Sequence, residues 1–474
     1  MNTMELQVPL EDTVTYDYEE VAADFGTFCT ASGIRVSALT DALNASMEPD
    51  AIDTPLSCVA VSTPPQEGKT TWIVHYIAWQ LIRNPWLKVV YATYSQARAN
   101  AVSRQIRAIV AAWTPLDKKS NAVQRWQTVE GGGLLAAGRG SAMTGFRSDL
   151  TVIDDPIKDM QEAQSELIRE TTVEWFSSVV LTRMANLSQI IVIATRWHKD
   201  DIIAHVQKAL AARYVNIPAQ AVEGPEKDIL GRHVGEWLSS VQNRTQKSWE
   251  LIKSAVGTYV WQALYQGDPQ VTGGSYINVD KMDVIPWDQV VFQDQRGFMQ
   301  TLDRALVIQS WDLTFGSVPQ QKKRTGGTSS DYVAGHVYAV IGQKWILIDR
   351  VHGRFSFTQT LSQVQLLLAR WPQTSRVYVE KTANGAAVID SLKKRAALIK
   401  PVSPKGSKEA RALAVQPIVD QGNVAILDSI ISQEDGLGML QEFRDFPFGA
   451  HDDDVDAFTQ ALNNGRADYF KMGR

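Results

Sequence analysis

The stretch Thr63-Pro-Pro-Gln-Glu-Gly-Lys-Thr70 decides the fold of the first half of the chain, because it lies between a predicted strand and a predicted helix. The strand covers Leu56–Ser62, and the helix runs from Lys69 towards Arg83. In such a place the backbone N–H groups of the loop and of the helix N-terminus surround phosphate groups. The sequence therefore predicts a phosphate-binding loop, although Thr63 stands where the usual pattern has its first glycine.

Two side chains of this loop have expected contacts with a nucleotide. Lys69 is expected to pair with the β- and γ-phosphates of ATP, and the Thr70 hydroxyl to ligate Mg²⁺. A Gly-Lys-Thr tripeptide is common, so the alternative is a helix N-terminus with a solvated lysine. The nucleotide-contacting residues that we predict in the loop are Thr63, Pro64, Pro65, Gln66, Glu67, Gly68, Lys69, Thr70 and Thr71.

Two later strands end in polar residues that fit the same site. Leu150–Asp155 is an apolar strand that ends in two carboxylates. Asp154 is expected to hold Mg²⁺ through water, and Asp155 to act as general base on the attacking water. A third strand precedes Thr195, which would sense the γ-phosphate and join the nucleotide-contacting set. A solvated Asp-Asp-Pro turn is the alternative for the second motif, and the order of the three motifs favours an ATP site.

The pattern around these motifs predicts an α/β domain with a parallel, doubly wound sheet, because short β-branched runs alternate with helical stretches. Residues 1–200 are predicted to form this ATPase domain of the RecA type, with residues 1–50 unassigned. Residues 201–275 are predicted to be mostly helical and interrupted, as a small lid and linker. The other predicted elements are strands at Lys88–Thr93, Asp149–Ile153 and Gln189–Thr195 and a helix at Ser95–Ala112.

The second half has a different order of elements, and residues 276–474 are predicted to form one further domain. Three successive strands are followed by a helix, a strand and, from about Asp453, a final helix. That β-β-β-α-β-α order is the order of the RNase H fold. The predicted strands are Ala305–Asp312, Asp331–Val340, Lys344–Val351 and Arg376–Glu380, and the first helix is Thr358–Arg370.

Carboxylates stand at three places in this order: Asp312 and Glu380 end strands, and residues 451–456 open the last helix. Hard divalent cations require oxygen ligands, and two Mg²⁺ or Mn²⁺ ions about 3.5–4 Å apart serve phosphodiester cleavage well. Residues three apart share a helix face, so Asp453 and Asp456 rank before Asp452. Each of these carboxylates could instead be a solvated residue at the end of a strand or the start of a helix. The predicted metal ligands are Asp312, Glu380, Asp452, Asp453 and Asp456, with Asp312, Glu380 and Asp453 as catalytic residues.

Some residues near these sites have two interpretations. Asp331 is a candidate outer member of the metal site, but a polar residue at a strand start is favoured. The basic stretches 322–324, 393–395 and 405–411 are candidate contacts for the DNA backbone, and they could equally be solvated. Four tryptophans on apolar faces are predicted to be core residues rather than platforms for stacked bases: Trp72, Trp175, Trp261 and Trp311.

The length and composition exclude several classes. A chain of 474 residues is too long for one core. No apolar run approaches the ~20 residues of a membrane span, and the N-terminus is acidic rather than signal-like. Two cysteines cannot build a disulfide framework, so a reducing, cytosolic setting is expected. The net charge of −5 argues against a protein that coats DNA indiscriminately.

Four motifs together resemble the large terminase subunit of tailed double-stranded DNA bacteriophages, and the likeness extends from about Ser57 to Leu462. They are Pro64-Pro65-x-x-Gly68-Lys69-Thr70, Tyr91-Ala92-Thr93-Tyr94-Ser95, Ile153-Asp154-Asp155-Pro156 and Thr195-Arg196-Trp197-His198-x-Asp200-Asp201. The resemblance implies a packaging ATPase fused to an RNase H-like nuclease that acts on double-stranded DNA. It also implies a portal protein and a small terminase subunit as partners, and a ring of five subunits. It places the chain in the host cytoplasm, transiently on the procapsid and outside the mature virion.

The chain departs from this family at one position of the loop. Many relatives have an arginine where this chain has Gln66. Terminase motors also commonly complete the ATP site with an arginine from the neighbouring subunit. Arg139, in a glycine-rich loop before the second motif, is the candidate for that catalytic role, and a surface arginine is its alternative interpretation. The competing candidates are Arg147, Arg183 and Arg196.

Two other functions compete with the packaging motor. A helicase or translocase fused to a nuclease would carry two RecA-like cores, whereas this chain has one set of nucleotide motifs. A structural protein with a degenerate site would not need the intact set of Lys69, Asp154, Asp155, Asp312 and Glu380.

Overall fold

The computed structural model divides the chain into two compact units, Met1–Gln246 with Ala263–Asp268 and Lys247–Gln262 with Pro269–Arg474. The three-part division predicted from the sequence stays a prediction. The structure describes residues 16–47, 56–141, 143, 145–269, 276–293, 299–301, 305–313, 332–381, 383–392, 398–404, 406–433, 435–447, 449 and 451–471.

The first unit is built on an eight-stranded sheet whose order is β3-β4-β5-β2-β6-β7-β1-β8. From β5 to β8 all neighbours run parallel, while β3, β4 and β5 pair antiparallel. This confirms the predicted parallel α/β fold. The strands are β1 Leu56–Ser62, β2 Lys88–Thr93, β3 Leu116–Asn121, β4 Arg125–Thr128, β5 Gly133–Gly138, β6 Ser148–Asp154, β7 Met184–Ile193 and β8 Arg213–Asn216.

Helices cover this sheet because apolar side chains on each helix and strand share one buried core. The buried cluster joins Ile153, Ile190 and Val192 of the strands to Trp175 and Phe176. The helices are α1 Tyr18–Ala23, α2 Phe25–Ala31, α3 Ala38–Ala45, α4 Lys69–Arg83, α5 Gln96–Ala111, α6 Met160–Gln164, α7 Glu166–Trp175 and α8 Ile202–Leu210, with a π-helical turn at Phe176–Val180 and a 3-10 turn at Leu181–Arg183.

Two parts of the first unit differ from the prediction. One is the stretch before β6: residues 116–138 contain β3, β4 and β5, which the sequence did not predict, while Arg139 and Gly140 of the predicted glycine-rich loop form a turn after β5. Glycine is required in β5 for close packing: a Cβ on Gly133 would lie 2.1 Å from the Trp126 carbonyl oxygen. The prediction of a mostly helical segment after residue 200 is wrong for residues 213–245, which contain β8 and no helix in the described structure. Pro218 and Pro225 cannot donate the helical hydrogen bond.

The second unit has a seven-stranded sheet in the order β16-β15-β12-β13-β14-β17-β9. β12, β13 and β14 pair antiparallel, and β15 lies parallel beside β12, as the RNase H order requires. The strands are β9 Asp283–Ile285, β10 Val291–Gln293, β11 Met299–Thr301, β12 Leu306–Leu313, β13 Val333–Ile341, β14 Lys344–Gly353, β15 Thr374–Glu380, β16 Ile399–Val402 and β17 Val424–Leu427. β10 and β11 form a separate hairpin.

The remaining helices are α9 Gln246–Val256, α10 Thr258–Val260, α11 Phe357–Arg370, α12 Ala383–Ser391, α13 Lys408–Asp420, α14 Asp428–Ile431, α15 Gly436–Asp445 and α16 Asp453–Lys471, with a π-helical turn at Trp261–Tyr265 and 3-10 turns at Val279–Lys281 and Trp287–Gln289. α16 packs on the sheet through Gln460, whose Nε2 donates to Ser310 Oγ and to the Trp311 carbonyl oxygen. The prediction that four tryptophans are core residues is confirmed: Trp72, Trp175, Trp261 and Trp311 are all buried. None of the helices in the described ranges combines the length and apolar character that a membrane crossing needs.

Candidate active sites

The carboxyl ends of β1, β6 and β7 meet beside the phosphate-binding loop. Val61 pairs with Ile193, and Ile193 pairs with Asp154, so the three strands end at the same level. A cavity of about 720 Å³ opens here, lined by residues 65–72 of the loop and α4 and by Asp155 and Thr195. Its place at the carboxyl edge of a parallel sheet is the usual place of a ligand in an α/β fold.

Lys69 is buried, and its ammonium group reaches across the strand ends. Nζ donates to Thr195 Oγ1 at 2.6 Å and to the Thr63 carbonyl oxygen at 3.1 Å. Gly68 precedes the helix with a φ of 87°, which favours glycine, and Gln66 has a φ of 65°. The loop therefore turns sharply and presents Lys69 to the third strand end. The alternative interpretation of Lys69 as a solvated lysine is therefore wrong, because its side chain is buried and hydrogen-bonded.

Asp154 lies at the centre of a second group. Its Oδ2 accepts from the Tyr91 hydroxyl at 2.7 Å and from Thr70 Oγ1 at 3.2 Å, while its buried Oδ1 has no hydrogen-bond partner in the described part of the chain. Burial, followed by the neighbouring Asp155, raises the pKa of Asp154 to about 6. A carboxylate with one free oxygen beside a threonine hydroxyl fits Mg²⁺, because the cation would offset the cost of burial. The sequence motifs did not assign Tyr91 this contact.

Asp155 is held in an unusual backbone conformation at the edge of the cavity. Its φ is 42°, its N–H donates to the Ile193 carbonyl oxygen at 2.8 Å, and its Oδ1 accepts from the Thr195 N–H at 2.7 Å. A non-glycine residue with positive φ costs energy that the surrounding contacts must supply, and such residues cluster at functional sites. Thr195 therefore contacts both Lys69 and Asp155, and all three predicted residues come together.

The helices of the N-terminal segment line the same cavity, which the sequence did not indicate. Phe25 and Cys29 of α2, Leu39 of α3, and Ile34 and Arg35 between these helices face it. Local cap signals were nevertheless present in the sequence, because the side chains of Asp24 and Ser37 accept N-terminal N–H groups of α2 and α3.

The fully buried Glu67 ties the loop to a distant part of the first unit. Its carboxylate accepts from Ser240 Oγ at 2.8 Å and from the Val241 N–H at 3.0 Å, and it forms an ion pair with Arg244. Arg244 also donates to the Pro65 carbonyl oxygen and to Gln66 Oε1, both at 3.2 Å. The loop is therefore held from outside by residues some 175 positions later, a contact that no local pattern reveals.

Replacement of Arg244 by alanine should lower the free energy of unfolding of the first unit by about 3 kcal/mol, because the buried Glu67 carboxylate loses its counterion. Urea unfolding followed by tryptophan fluorescence measures this loss. Adding Glu67→Gln to the Arg244→Ala variant should recover part of it, because no unpaired charge is then buried. The exposed Arg104 supplies the control Arg104→Ala. An unchanged unfolding midpoint in Arg244→Ala would contradict a stabilising role for the pair.

The four arginine candidates lie in different surroundings, and none of them lines the cavity. Arg139 forms an ion pair with Glu162 at 3.0 Å, with Nη1 buried and unpaired. Arg196 is buried and pairs with Asp201 at 2.8 Å. Arg147 is exposed, and Arg183 is half-buried. The catalytic role of Arg139 across a subunit interface stays a prediction.

In the second unit, the predicted carboxylates Asp312 and Glu380 lie at the ends of neighbouring strands. Trp311 pairs with Val379, and Asp312 and Glu380 are the next residues on their strands. Asp312 is buried, and Glu380 is half-buried with a pKa that burial raises. The parallel pairing of β12 and β15 thus brings together two residues that are far apart in sequence.

The face of α16 that carries Asp453 and Asp456 is the face that packs on these strands. Gln460 contacts β12 and, at 3.4 Å, the Tyr378 carbonyl oxygen of β15. Asp453 and Asp456 precede it by seven and four residues, which places all three on one side of a helix. Both aspartates are buried, whereas Asp452 is only half-buried. The helix geometry agrees with ranking Asp453 and Asp456 before Asp452.

Two basic residues of α13 contact these carboxylates. Lys408 Nζ lies 2.6 Å from Asp452 and 2.8 Å from Asp456, and Arg411 lies 3.0 Å from Asp456 and 3.9 Å from Glu380. Burial raises the pKa of Asp456. These side chains, predicted as DNA backbone contacts, are therefore engaged with acidic residues of the chain. Asp331, residues 322–324 and 393–395, and Lys405 lie outside the described residues.

A buried carboxylate is costly to keep charged, and a divalent cation, which prefers oxygen ligands, would offset that cost. Asp312, Glu380, Asp453 and Asp456 supply only carboxylate oxygens, and three of the four are buried. They stay predicted ligands, since each could be held by the fold alone.

Asp454 points away from this group, and the sequence motifs did not single it out. It accepts from His336 Nε2 at 2.7 Å and from Arg350 Nε at 2.9 Å, on β13 and β14. These two contacts, although burial opposes them, hold the pKa of Asp454 well below its usual range. Adjacent aspartates of one cluster thus face different strands.

Comparison with known proteins matches residues 309–465 to the family described as terminase RNaseH-like domain. Among solved structures, the large terminase of a thermophilic bacteriophage in complex with ADP is 10% identical, with 90% of this chain and 98% of that chain covered and a TM-score of 0.46. The HK97 bacteriophage large terminase is 12% identical, with 86% and 90% covered and a TM-score of 0.38. The nuclease of the large terminase from the thermophilic phage G20c, with bound zinc, is 16% identical, with 39% and 95% covered and a TM-score of 0.28.

No curated protein sequence matches the chain. The family match covers β12 through most of α16, which is the part of the chain with the RNase H order of strands. The resemblance indicated by the sequence is thereby confirmed for the second unit. Residues 309–465 are thus similar to the terminase RNaseH-like domain.

Proposed function

We propose that the chain is the motor subunit that packages the DNA of a tailed bacteriophage. It would hydrolyse ATP to move double-stranded DNA into a procapsid, and it would cut concatemeric DNA with a two-metal endonuclease. The observation that carries the proposal is the joining, on one chain, of a terminase RNase H-like domain to a sheet with Lys69, Asp155 and Thr195 gathered at its strand ends.

In the first site the residues have separable tasks. Lys69 donates to two neutral oxygens, of Thr63 and Thr195, and phosphate oxygens would replace them when ATP binds. Asp155 is oriented by the Thr195 N–H and would accept a proton from the attacking water. Thr70 and Asp154 would hold Mg²⁺, which supplies charge neutralisation at the phosphates. Arg139 of a neighbouring subunit would complete this site.

In the second site the strands and α16 would hold two Mg²⁺ or Mn²⁺ ions through Asp312, Glu380, Asp453 and Asp456, with Asp452 at the edge. Bound cations supply Lewis-acid activation and stabilise the attacking and leaving oxygens of a phosphodiester. The chain's own contribution is to fix the carboxylates on rigid elements. Lys408 and Arg411 reduce the repulsion among these carboxylates.

Further partners follow from the same proposal. A ring of five subunits, a portal protein and a small terminase subunit would surround the DNA, and the chain would work in the host cytoplasm and leave the filled capsid. A helicase-nuclease is the second candidate. The described sheets favour the first, because the second sheet contains antiparallel β12, β13 and β14 rather than a second parallel nucleotide-binding sheet.

The purified chain should drive ATP-dependent uptake of double-stranded DNA into procapsids that carry a portal. Protection of the DNA from added nuclease measures this uptake. A non-hydrolysable ATP analogue is the control, and it should abolish protection. DNA unwinding without any procapsid-dependent protection would favour the helicase-nuclease.

A further inference from the structure

His352, Glu442 and Asp454 form a second group of possible ligands in the RNase H-like unit. One ligand atom of each lies within 4.8 Å of the others. They come from β14, α15 and α16. Asp312 pairs with Ala334, and Ala334 pairs with His352, so His352 lies two strands away from the predicted nuclease ligand. Two strand spacings are roughly 10 Å, which separates the two groups.

The hydrogen bonds of the three residues leave one free position on each. Asp454 Oδ1 accepts from His336 and Arg350, and Oδ2 accepts from Arg350 Nη2 alone. The backbone N–H groups of Asp454 and Val455 both donate to Glu442 Oε1, at 2.7 and 3.1 Å, rather than to its second oxygen. His352 Nε2 is buried and has no hydrogen-bond partner among the described residues, and it lies 3.9 Å from Asp454 Oδ2, too far for a hydrogen bond.

The imidazole of His352 is held in one orientation. Its Nδ1 lies 2.5 Å from Asp435 Oδ2, and its ring stacks on Tyr332 with the ring centres 4.6 Å apart. A proton on Nδ1 that is donated to Asp435 leaves a lone pair on Nε2, the ring nitrogen that lies 3.9 Å from Asp454 Oδ2. A carboxylate on the second ring nitrogen is the usual support of a metal-binding histidine.

Acidic side chains outnumber basic ones in this group. Asp435, Glu442 and Asp454 supply three carboxylates, and Arg350 supplies one guanidinium. Burial lowers the pKa of His336 and favours its neutral form. Burial, followed by Asp454, raises the pKa of Glu442 to about 8. A divalent cation bound among these carboxylates would offset the cost of burying their charges.

We propose that His352 Nε2, Glu442 and Asp454 bind one divalent transition-metal cation, separate from the cations of the nuclease site. One imidazole nitrogen and two carboxylate oxygens suit Zn²⁺, Co²⁺ or Mn²⁺ better than Mg²⁺, which prefers oxygen ligands only. The cation joins β14, α15 and the first turn of α16, and it thereby supports the helix that carries Asp453.

Equilibrium dialysis of the full chain against Co²⁺ in millimolar Mg²⁺ tests the site, because Mg²⁺ competes for the oxygen-only positions. The wild-type chain should retain one Co²⁺ more than His352→Gln and Glu442→Gln, and Co²⁺ should raise its unfolding temperature by more than it raises theirs. His233→Gln, in the first unit, is the matched control and should retain the wild-type number. Asp435→Asn should keep the number but weaken binding by about 10–100-fold.

Equal Co²⁺ content in the wild type and in both ligand variants would overturn the proposal. Unfolding in EDTA shows whether each variant is folded, and the two variants remove different ligand types, so a misfolded one does not decide the result. The proposal would also be overturned if these three side chains bind a proton, on Glu442, instead of a cation. In that case the wild type retains no more Co²⁺ than the two ligand variants, and stability falls as the pH rises from about 4.5 to about 8, because folded Glu442 binds the proton more tightly than the unfolded chain does.

Discussion

Replacement of Lys69 by alanine should reduce ATP hydrolysis by about 10³-fold or more, because a preorganised cation at the transferring phosphate is lost. The ammonium group is buried and bound only to neutral oxygens, so nothing else that it contacts can take over its charge. Phosphate release from ATP measures the effect. DNA uptake into procapsids should be lost with it.

Metal-dependent nicking of supercoiled plasmid should remain at the wild-type level in Lys69→Ala, because the carboxylates of the nuclease site lie in the other compact unit. Lys208, which is exposed in the last turn of α8, supplies the control Lys208→Ala. Loss of both activities in a folded Lys69→Ala chain would contradict the assignment of two independent sites.

Replacement of Asp312 by asparagine should reduce plasmid cleavage by about 10³-fold. The change keeps the size of the side chain and removes its charge, and a catalytic cation is worth several kcal/mol of transition-state stabilisation. About 4 kcal/mol corresponds to that factor. Cleavage in Mn²⁺ measures it, while ATP hydrolysis by the same preparation should be unchanged.

The matched control for Asp312→Asn is Asp283→Asn. Asp283 lies on β9 of the same sheet, is exposed and pairs with Lys344. It should retain full cleavage. If Asp312→Asn cleaves plasmid as fast as the wild type does, Asp312 does not belong to the metal site.

The parts of the fold that the sequence predicted are those with strong local patterns. β12 is buried at every residue, β1 ends directly before the phosphate-binding loop, and β6 ends in Asp154, so the periodicity and the motifs coincided. β3 and β4 were missed because β3 reads Leu-Asp-Lys-Lys-Ser-Asn, a polar strand at the edge of the sheet. β5 was missed because its two flanking glycines indicate a loop.

Each functional side chain could be predicted from the local pattern of its own strand. The side chains that it contacts could not be predicted in this way. Asp154 follows from its apolar strand, whereas the contact with Tyr91 depends on the pairing of β2 with β6. The ion pair of Glu67 with Arg244 joins residues 177 positions apart. Asp454 could not be separated from its neighbours in the acidic cluster, because its direction depends on how α16 is rotated over the sheet.

Lys408 bridges Asp452 and Asp456, so in the proposed nuclease site its ammonium group would compete with a metal cation for these two carboxylates. Because Lys408 belongs to the same chain, its effective local concentration is on the order of millimolar and does not depend on the ions in solution. A cation that binds these two carboxylates would compete with that ammonium, so half-occupancy would need a higher concentration of free metal than the carboxylates alone would need. DNA brought near α13 could draw Lys408 towards its phosphates and lower that concentration. Binding of the DNA substrate would then favour binding of the cations that cleavage needs.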